Sequence, residues 1–244
     1  MDRKADRVAR DLLSRVVSGE LSVGTLLPKE LELAAEYGVN RGVVREAIKL
    51  LEVHRLVRPI KRRGTEILDP MASISPAVLA AMIEPVPGRV DREMLAELLE
   101  VRALIDQEMS RLACQRRSEE DLEALEAALA WLGAAAGDAE IAREAHRALA
   151  LALARATHNR VFEMLVHWNA HVQEEHGNVF RAVQPVGQAH LQGFEMLVAM
   201  VRAGAADEAA ALVAAYHRWS IPRLLAAAAL RSGEGLEQIM EEAR

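Results

Sequence analysis

The sequence predicts a mostly α-helical protein, in which an N-terminal winged helix-turn-helix of three helices and a two-stranded β-hairpin precedes an all-α helical bundle. Composition is the first support for this fold class. The 244 residues are 51% hydrophobic but only 3% aromatic, because alanine and leucine dominate, and both favour helices. Periodicity is the second support: apolar residues recur at helical spacing along most of the chain, and β-prone runs occur only near residue 60.

Positive charge is concentrated in the N-terminal part. The formal net charge is -6, yet residues 1–75 carry 14 Lys and Arg against 11 Asp and Glu, whereas residues 76–244 carry 16 against 25. A basic part joined to an acidic part favours a nucleic-acid partner for the basic part alone. The single cysteine, Cys114, excludes a disulfide scaffold and a cysteine-based zinc finger.

We expect three segments along the chain. Residues 1–70 form the winged helix-turn-helix, residues 71–90 a linker with one short helix, and residues 91–244 the helical bundle. Half of the eight prolines lie in or beside this linker, which indicates a connecting segment. No apolar run reaches membrane-spanning length, and the charged start of the chain is not a signal peptide. We therefore expect a cytoplasmic protein without a membrane partner.

The first segment contains the signals of three helices and a hairpin. Helical spacing of apolar residues predicts helices at 6–18, 29–37 and 41–54. Two short β-prone runs follow, at 56–60 and 65–68, and the residues between them are basic and end in glycine. This pattern predicts an antiparallel hairpin with a positively charged tip.

The second helix and the turn after it have recognisable boundaries. We expect Leu31, Leu33 and Ala34 to face the core. Gly38 is a typical C-terminal cap, and Asn40 is placed to cap the third helix. The sequence therefore predicts a short turn between the second and third helices.

The third helix and the hairpin carry most of the positive charge. From residue 41 to residue 63 there are eight basic residues and two acidic ones. A helix fits the major groove of DNA and presents donors from its first turns, while a basic hairpin lies along an adjacent groove. The alternative is a solvated basic surface. We expect contacts with double-stranded DNA from Lys29, Asn40, Arg41, Arg45, Lys49, Lys61, Arg62, Arg63 and Gly64.

Three motifs in this segment occur in a characteristic order and spacing: LPKELELA at 27–34, VNRGVVREA at 39–47 and RGT at 63–65. They resemble the DNA-binding domain of the GntR superfamily of bacterial transcription regulators. The family usually has Arg where this chain has Leu31, and that Arg helps to contact DNA. The resemblance implies a DNA-binding regulator whose sequence preference differs from that of its relatives.

The remainder of the chain shows only helical signals. Breaks at glycine, proline and capping residues separate the periodic segments. They predict helices at about 91–116, 119–135, 139–157, 160–180, 186–203 and 206–230, with a short tail near 235–243.

The helical part of the chain resembles the FCD effector domain, which is typical of the FadR subfamily. The residues that match motifs of that domain are Arg102, His146, Asn159 and His217. The resemblance covers residues 91 to about 225. It implies an all-helical domain that binds a small effector and dimerises.

Many members of that subfamily bind a divalent metal through one Asp and three His residues, with a carboxylate effector on the metal. The resemblance puts Ala142 at the Asp position and Phe194 or Glu195 at one His position, so His146 and His217 alone remain. A metal site would need Glu195, His190 or waters to complete it. We therefore predict no firm cofactor. A metal-free pocket is favoured over a divalent metal such as zinc at an incomplete site.

The resemblance implies an effector site formed by Arg102, His146, Asn159, Glu195 and His217. Arg102 either anchors an effector carboxylate by bidentate hydrogen bonds or pairs with Asp106, one helical turn further on. The fatty-acid regulator that gives the subfamily its name also lacks the metal set and binds long-chain acyl-CoA. The expected effector is therefore an acyl-CoA or a carboxylate metabolite.

Together these features predict a ligand-responsive bacterial transcription regulator that binds a palindromic operator as a homodimer, since a two-fold operator matches a two-fold protein. Two alternatives are a constitutive DNA-binding regulator without an effector and a metal-dependent carboxylate sensor. An enzyme site built on His146 and His217 is not expected, because no nucleophile, base and orienting group accompany them.

Overall fold

A computed structural model describes residues 3–73, 75–135, 138–175 and 188–233 of the chain. Each of its two units, Met1–Asp91 and Arg92–Arg244, has its own cluster of buried apolar residues. The described residues are mostly helical, with one two-stranded sheet. The predicted fold class is confirmed.

Three helices and a hairpin follow one another in the predicted order in the first unit. The helices are α1 (Lys4–Val17), α2 (Glu30–Glu36) and α3 (Arg41–Val53). Strands β1 (Val57–Ile60) and β2 (Gly64–Ile67) pair antiparallel, with the first residue of β1 opposite the last residue of β2. Leucine and valine side chains from all three helices are buried together with residues of both strand ends, which fixes α3 against the hairpin.

The residues after the hairpin pack within the first unit. A 3₁₀ turn at Pro70–Ala72 leads into α4 (Pro76–Ile83). Val78 of α4 is fully buried in the same apolar cluster as α1 and α3, and Ser14 of α1 donates a hydrogen bond to the Pro85 carbonyl. The segment expected to be a linker thus contributes to the core of this unit.

The turn between α2 and α3 has the predicted caps. Gly38 has a φ of 62°, in the left-handed region that favours glycine. Asn40 caps α3, because its Oδ1 accepts a hydrogen bond from the Val43 backbone N–H at 3.0 Å.

One predicted core position on α2 is wrong. Leu33 and Ala34 are buried, but Leu31 is 59% exposed. The reason is the helical step of about 100° per residue, which sets Leu31 and Leu33 on opposite sides of the helix.

Six helices form the described part of the second unit, close to their predicted bounds. They are α5 (Arg92–Arg116), α6 (Glu119–Ala134), α7 (Ala139–Ala156), α8 (Arg160–Glu175), α9 (Gln188–Ala203) and α10 (Ala206–Arg231). The predicted tail and the predicted segments 176–180 and 186–187 lie outside the described residues.

The packing of the second unit brings distant parts of the chain together. Helix α5 lies along α10 and also contacts α7 and α9, while α8 packs on α7. One side of each of these helices therefore faces a shared interior. Within the described ranges, no helix has the length and apolarity needed to cross a membrane.

Candidate nucleic-acid interface and ligand pocket

The outer face of α3 carries basic residues predicted to contact DNA. Arg41, Arg45 and Lys49 are all exposed. Arg45 Nε donates to Glu30 Oε2 at 2.7 Å, and Lys49 Nζ donates to Glu46 Oε1 at 3.0 Å. Exposed ion pairs of this kind contribute about 0.2–1 kcal/mol. A phosphate group can therefore compete with either glutamate for its basic partner.

The hairpin tip is basic and tightly turned. Lys61, Arg62 and Arg63 are exposed, and the Arg63 backbone N–H donates to the Ile60 carbonyl at 3.0 Å. Arg62 has a φ of 64° and Gly64 a φ of 131°, so the backbone reverses within these residues. The tip presents three positive side chains in succession.

A groove of about 540 Å³ separates the start of α2, the side of α3 and the hairpin. Four of the predicted DNA contacts line it: Lys29, Arg41, Arg63 and Gly64. The structure does not bring the remaining predicted contacts into this groove: Asn40, Arg45, Lys49, Lys61 and Arg62.

Apolar residues line the same groove. Leu31, Leu26 and Ile48 all border it, and Leu26 is 43% exposed. The sequence pattern did not predict that Leu26 is exposed. Leu26 lies in a loop, where there is no helical or strand periodicity to separate it from its buried neighbour Leu27. The groove therefore combines cations with an apolar surface.

The second unit contains a cavity of about 430 Å³, open to solvent on one side, between α5, α7, α8, α9 and α10. Most of its wall is apolar, and the larger apolar side chains are Met109, Leu149, Leu153, Val166, Phe194, Leu197, Leu212, Val213 and Trp219. The polar and ionisable side chains are Arg102, Asp106, Ser110, His146, Asn169, His190, Tyr216 and His217. A largely apolar pocket with a few polar groups is typical of small-molecule sites.

Three of these polar residues form a chain of hydrogen bonds. Arg102 Nε donates to Asp106 Oδ2 at 3.4 Å, and His217 Nε2 lies 3.0 Å from the same oxygen. Burial alone would raise the pKa of Asp106, but the hydrogen bond to His217 and the charge on Arg102 hold it below its usual value. Asp106 is therefore a carboxylate that orients both neighbours.

His146 is an uncharged group in the same cavity. Burial, together with the positive charge on Arg102, lowers its pKa to about 4. Its ring packs edge-on against Phe194, with 5.1 Å between the ring centroids. Burial also lowers the pKa of His190, whose ring lies edge-on to Trp219 at 5.2 Å.

The predicted effector residues separate into two groups. Arg102, His146 and His217 line the cavity, whereas Asn159 and Glu195 are exposed and do not. Asn159 precedes α8, and its Oδ1 accepts a hydrogen bond from the Val161 backbone N–H at 3.0 Å. On α9, the helical step turns Phe194 into the cavity and Glu195 outward.

The cavity has five polar lining residues that were not among the predicted site residues: Asp106, Ser110, Asn169, His190 and Tyr216. Asp106 was considered only as an ion-pair partner of Arg102, and His190 only as a possible completion of a metal site. Both lie on cavity-facing sides of long helices, where periodicity alone does not distinguish a cavity from a packed core.

The metal site implied by the resemblance does not fit this cavity. Ala142 offers no ligand atom, Glu195 lies outside the cavity, and Nε2 of His217 is engaged by Asp106. Within the part of the chain that the structure describes, no group of three or more His, Cys, Asp or Glu residues is arranged to hold a metal ion.

Two family profiles match the chain. The profile of bacterial regulatory proteins, gntR family, matches residues 4–67, and the profile of the FCD domain matches residues 97–218. The first match covers α1 to β2, and the second covers most of the described part of the second unit.

Several bacterial regulators are similar to this chain over much of their length. The HTH-type transcriptional regulator Rv0494 of Mycobacterium tuberculosis is 30% identical over 91% of this chain and 90% of its own. The HTH-type transcriptional regulator LutR of Bacillus subtilis is 34% identical over 64% of this chain and 68% of its own. The galactonate operon transcriptional repressor of Escherichia coli is 29% identical over 66% of this chain and 70% of its own.

Solved structures share the fold. Lar, which controls the expression of the Listeria monocytogenes agr system, superposes with a TM-score of 0.60 at 19% identity, over 93% of this chain and 97% of its own. McbR/YncC of Escherichia coli gives a TM-score of 0.50 at 19% identity, over 92% and 98%.

Proposed function

This chain belongs to the GntR family of bacterial transcription regulators and carries an FCD domain, and we propose that it binds a palindromic DNA operator as a homodimer whose affinity responds to a small-molecule effector. Its family and its relatives are transcription regulators and not enzymes, and the same holds for this chain. In this proposal residues 1–70 bind DNA and residues 91–244 bind the effector and dimerise. Residues 71–90, whose helix α4 packs on the first unit, join the two parts. The observation that carries the effector part is the cavity in the second unit.

The proposed DNA contacts follow from the surface of the first unit. Helix α3 enters the major groove with Asn40, Arg41 and Arg45 at its leading end, because the first turns of a recognition helix reach the base edges. Lys29, Lys49 and the hairpin residues Lys61, Arg62, Arg63 and Gly64 hold the DNA backbone. Phosphate neutralisation supplies most of the non-specific affinity. Such binding places the activity in the cytoplasm, with the bacterial chromosome.

The effector proposed here is a small organic acid held without a metal. Asp106 accepts a hydrogen bond from Nε of Arg102. The two terminal nitrogens of the Arg102 guanidinium lie outside that hydrogen bond and are suited to bind a carboxylate. The uncharged His146 offers a further polar contact. The cavity, at about 430 Å³, is at the small end of the usual range of about 300–1,000 Å³ for ligand pockets, which favours a small acid.

The names of several relatives support this effector class. Similar regulators that match about two thirds of this chain are named for the galactonate and glc operons, and galactonate is a sugar acid. A panel of organic acids is therefore the first set of candidate effectors to test on this chain. An acyl-CoA, as the alternative effector, would place only its acyl chain in the cavity.

The homodimer is proposed from symmetry and from exposed apolar side chains. A two-fold operator presents two equal half-sites. Large apolar side chains are exposed on α5 and α8, where a second copy would cover them: Val101, Leu104, Val161 and Met164. Sedimentation of the full chain tests this directly, and a monomer at micromolar concentration would contradict it.

Binding to DNA in the presence of candidate effectors tests the whole proposal. DNA selected by the full chain from a random library serves as the operator, and a panel of organic acids and acyl-CoA esters is titrated into the complex. The proposal predicts that at least one organic acid changes the operator affinity. Operator binding that no compound alters would favour the constitutive regulator instead.

A further inference from the structure

Leu31 is a large apolar side chain in an unusual place. It is 59% exposed on the first turn of α2. The side chains on either side of it are held, since Glu30 accepts from Arg45 and Glu32 accepts from the Lys29 backbone N–H at 2.9 Å. Leu31 alone among these three borders the groove with an apolar surface.

The surroundings of Leu31 indicate what would cover it. Lys29, Arg41 and Arg63 line the same groove, as do Glu30 and Glu32. Its cations therefore outnumber its anions, and its occupant must be able to pair with positive charge. DNA satisfies that condition, because its phosphates pair with the cations. An apolar side chain between such cations then meets the base edges rather than the backbone.

The major groove offers an apolar side chain one favourable contact, the C5-methyl group of thymine. Opposite a guanine, the same side chain would desolvate O6 and N7 without replacing their hydrogen bonds, which is unfavourable. Building on the DNA binding proposed above, we infer that Leu31 reads the C5-methyl group of one thymine in each operator half-site. Leu26, beside it in the groove, completes the apolar surface.

Replacing thymine by deoxyuridine tests this inference, because the change removes the methyl group and nothing else. The transfer free energy of one buried methylene corresponds to about fourfold in affinity. Replacing this thymine by deoxyuridine in one half-site should therefore weaken operator affinity about fourfold. Replacing it in both half-sites should weaken affinity about 16-fold, since the free-energy effects of distant sites are additive.

Three variants of the full chain identify the side chain responsible. Leu31→Ala should lose most of the fourfold difference between thymine and deoxyuridine operators, because its short side chain makes far less contact with the methyl group. Val53→Ala, a matched control at another exposed apolar position of the first unit that does not line the groove, should keep the fourfold difference. Leu31→Arg should select guanine at this position, because arginine pairs with O6 and N7.

Two results would overturn the inference while leaving DNA binding intact. In one, no thymine of the selected operator is sensitive to loss of its methyl group. In the other, Leu31→Ala shows the wild-type sensitivity, and matching thermal unfolding of the two proteins establishes that both are folded. Failure to select any DNA would instead contradict the proposed function and this inference with it.

Discussion

Asp106 links two other polar residues of the helical cavity. Its carboxylate accepts from Arg102 and lies 3.0 Å from Nε2 of His217. A neutral amide in its place leaves the partly buried Arg102 without its counter-ion and gives His217 a weaker acceptor. We expect Asp106→Asn to lower the free energy of unfolding by about 1–3 kcal/mol, as measured by urea denaturation. Glu108→Gln is the matched control, because Glu108 pairs with Arg111 at the surface of the same helix and should change stability by less than about 0.5 kcal/mol.

His146 makes stability depend on pH in a defined direction. Its pKa is lowered from 6.5 to about 4 in the folded chain, so between these values the unfolded state binds more protons. The free energy of unfolding should therefore fall as the pH drops from 6.5 towards 4, by up to about 3 kcal/mol. Urea denaturation at several pH values measures the slope, and His146→Gln should reduce it. An identical slope in both proteins would contradict the lowered pKa of His146 in the folded chain.

Arg45 tests the placement of α3 on DNA. We expect Arg45→Ala to weaken operator binding by about 1–3 kcal/mol at fixed salt concentration, as measured by fluorescence anisotropy. Glu30→Gln is the companion variant: it frees Arg45 from its ion pair and removes a negative charge near the DNA, so affinity should stay the same or increase. Unchanged affinity in Arg45→Ala would argue against major-groove insertion at this position.

At the scale of single elements, Asn40 combines a structural and a binding role that two variants separate. Its Oδ1 caps α3, and its amide is proposed to meet DNA. Asn40→Ala should lower the free energy of unfolding by about 1 kcal/mol through loss of the cap. Asn40→Asp should retain the cap and yet weaken DNA binding, because it adds a negative charge facing the phosphates. Calorimetry and anisotropy on the same samples separate the two effects, and full DNA affinity in Asn40→Asp would exclude the binding role.

The elements could be predicted from the sequence because their signals are local. Helical periodicity together with caps such as Gly38 and Asn40 set the boundaries of α1 to α3, and the basic turn between two β-prone runs identified the hairpin. The predicted inward orientation of Leu31 was wrong, because a short helix gives too few turns to fix its buried face from spacing alone. In the helical unit, Asp106 and Glu195 show the same limit: which side of a long helix faces a cavity depends on its neighbours rather than on its own spacing.

At the scale of the whole molecule, the charge pattern becomes interpretable once the chain is divided. The overall charge of -6 is unfavourable for DNA, whereas the basic groups are concentrated in the unit that carries α3 and the hairpin. The acidic remainder contains the cavity. Coupling between the two requires that an effector bind more tightly in one arrangement of the proposed dimer than in another.

The operator affinity of the full chain, measured with and without small organic acids, tests the central claim most directly. The account predicts that at least one acid changes the dissociation constant by about fivefold or more, the usual lower end of allosteric coupling, and that Arg102→Ala loses this response. An operator affinity that is the same with every acid in the panel, or a response that persists undiminished in Arg102→Ala, would contradict it.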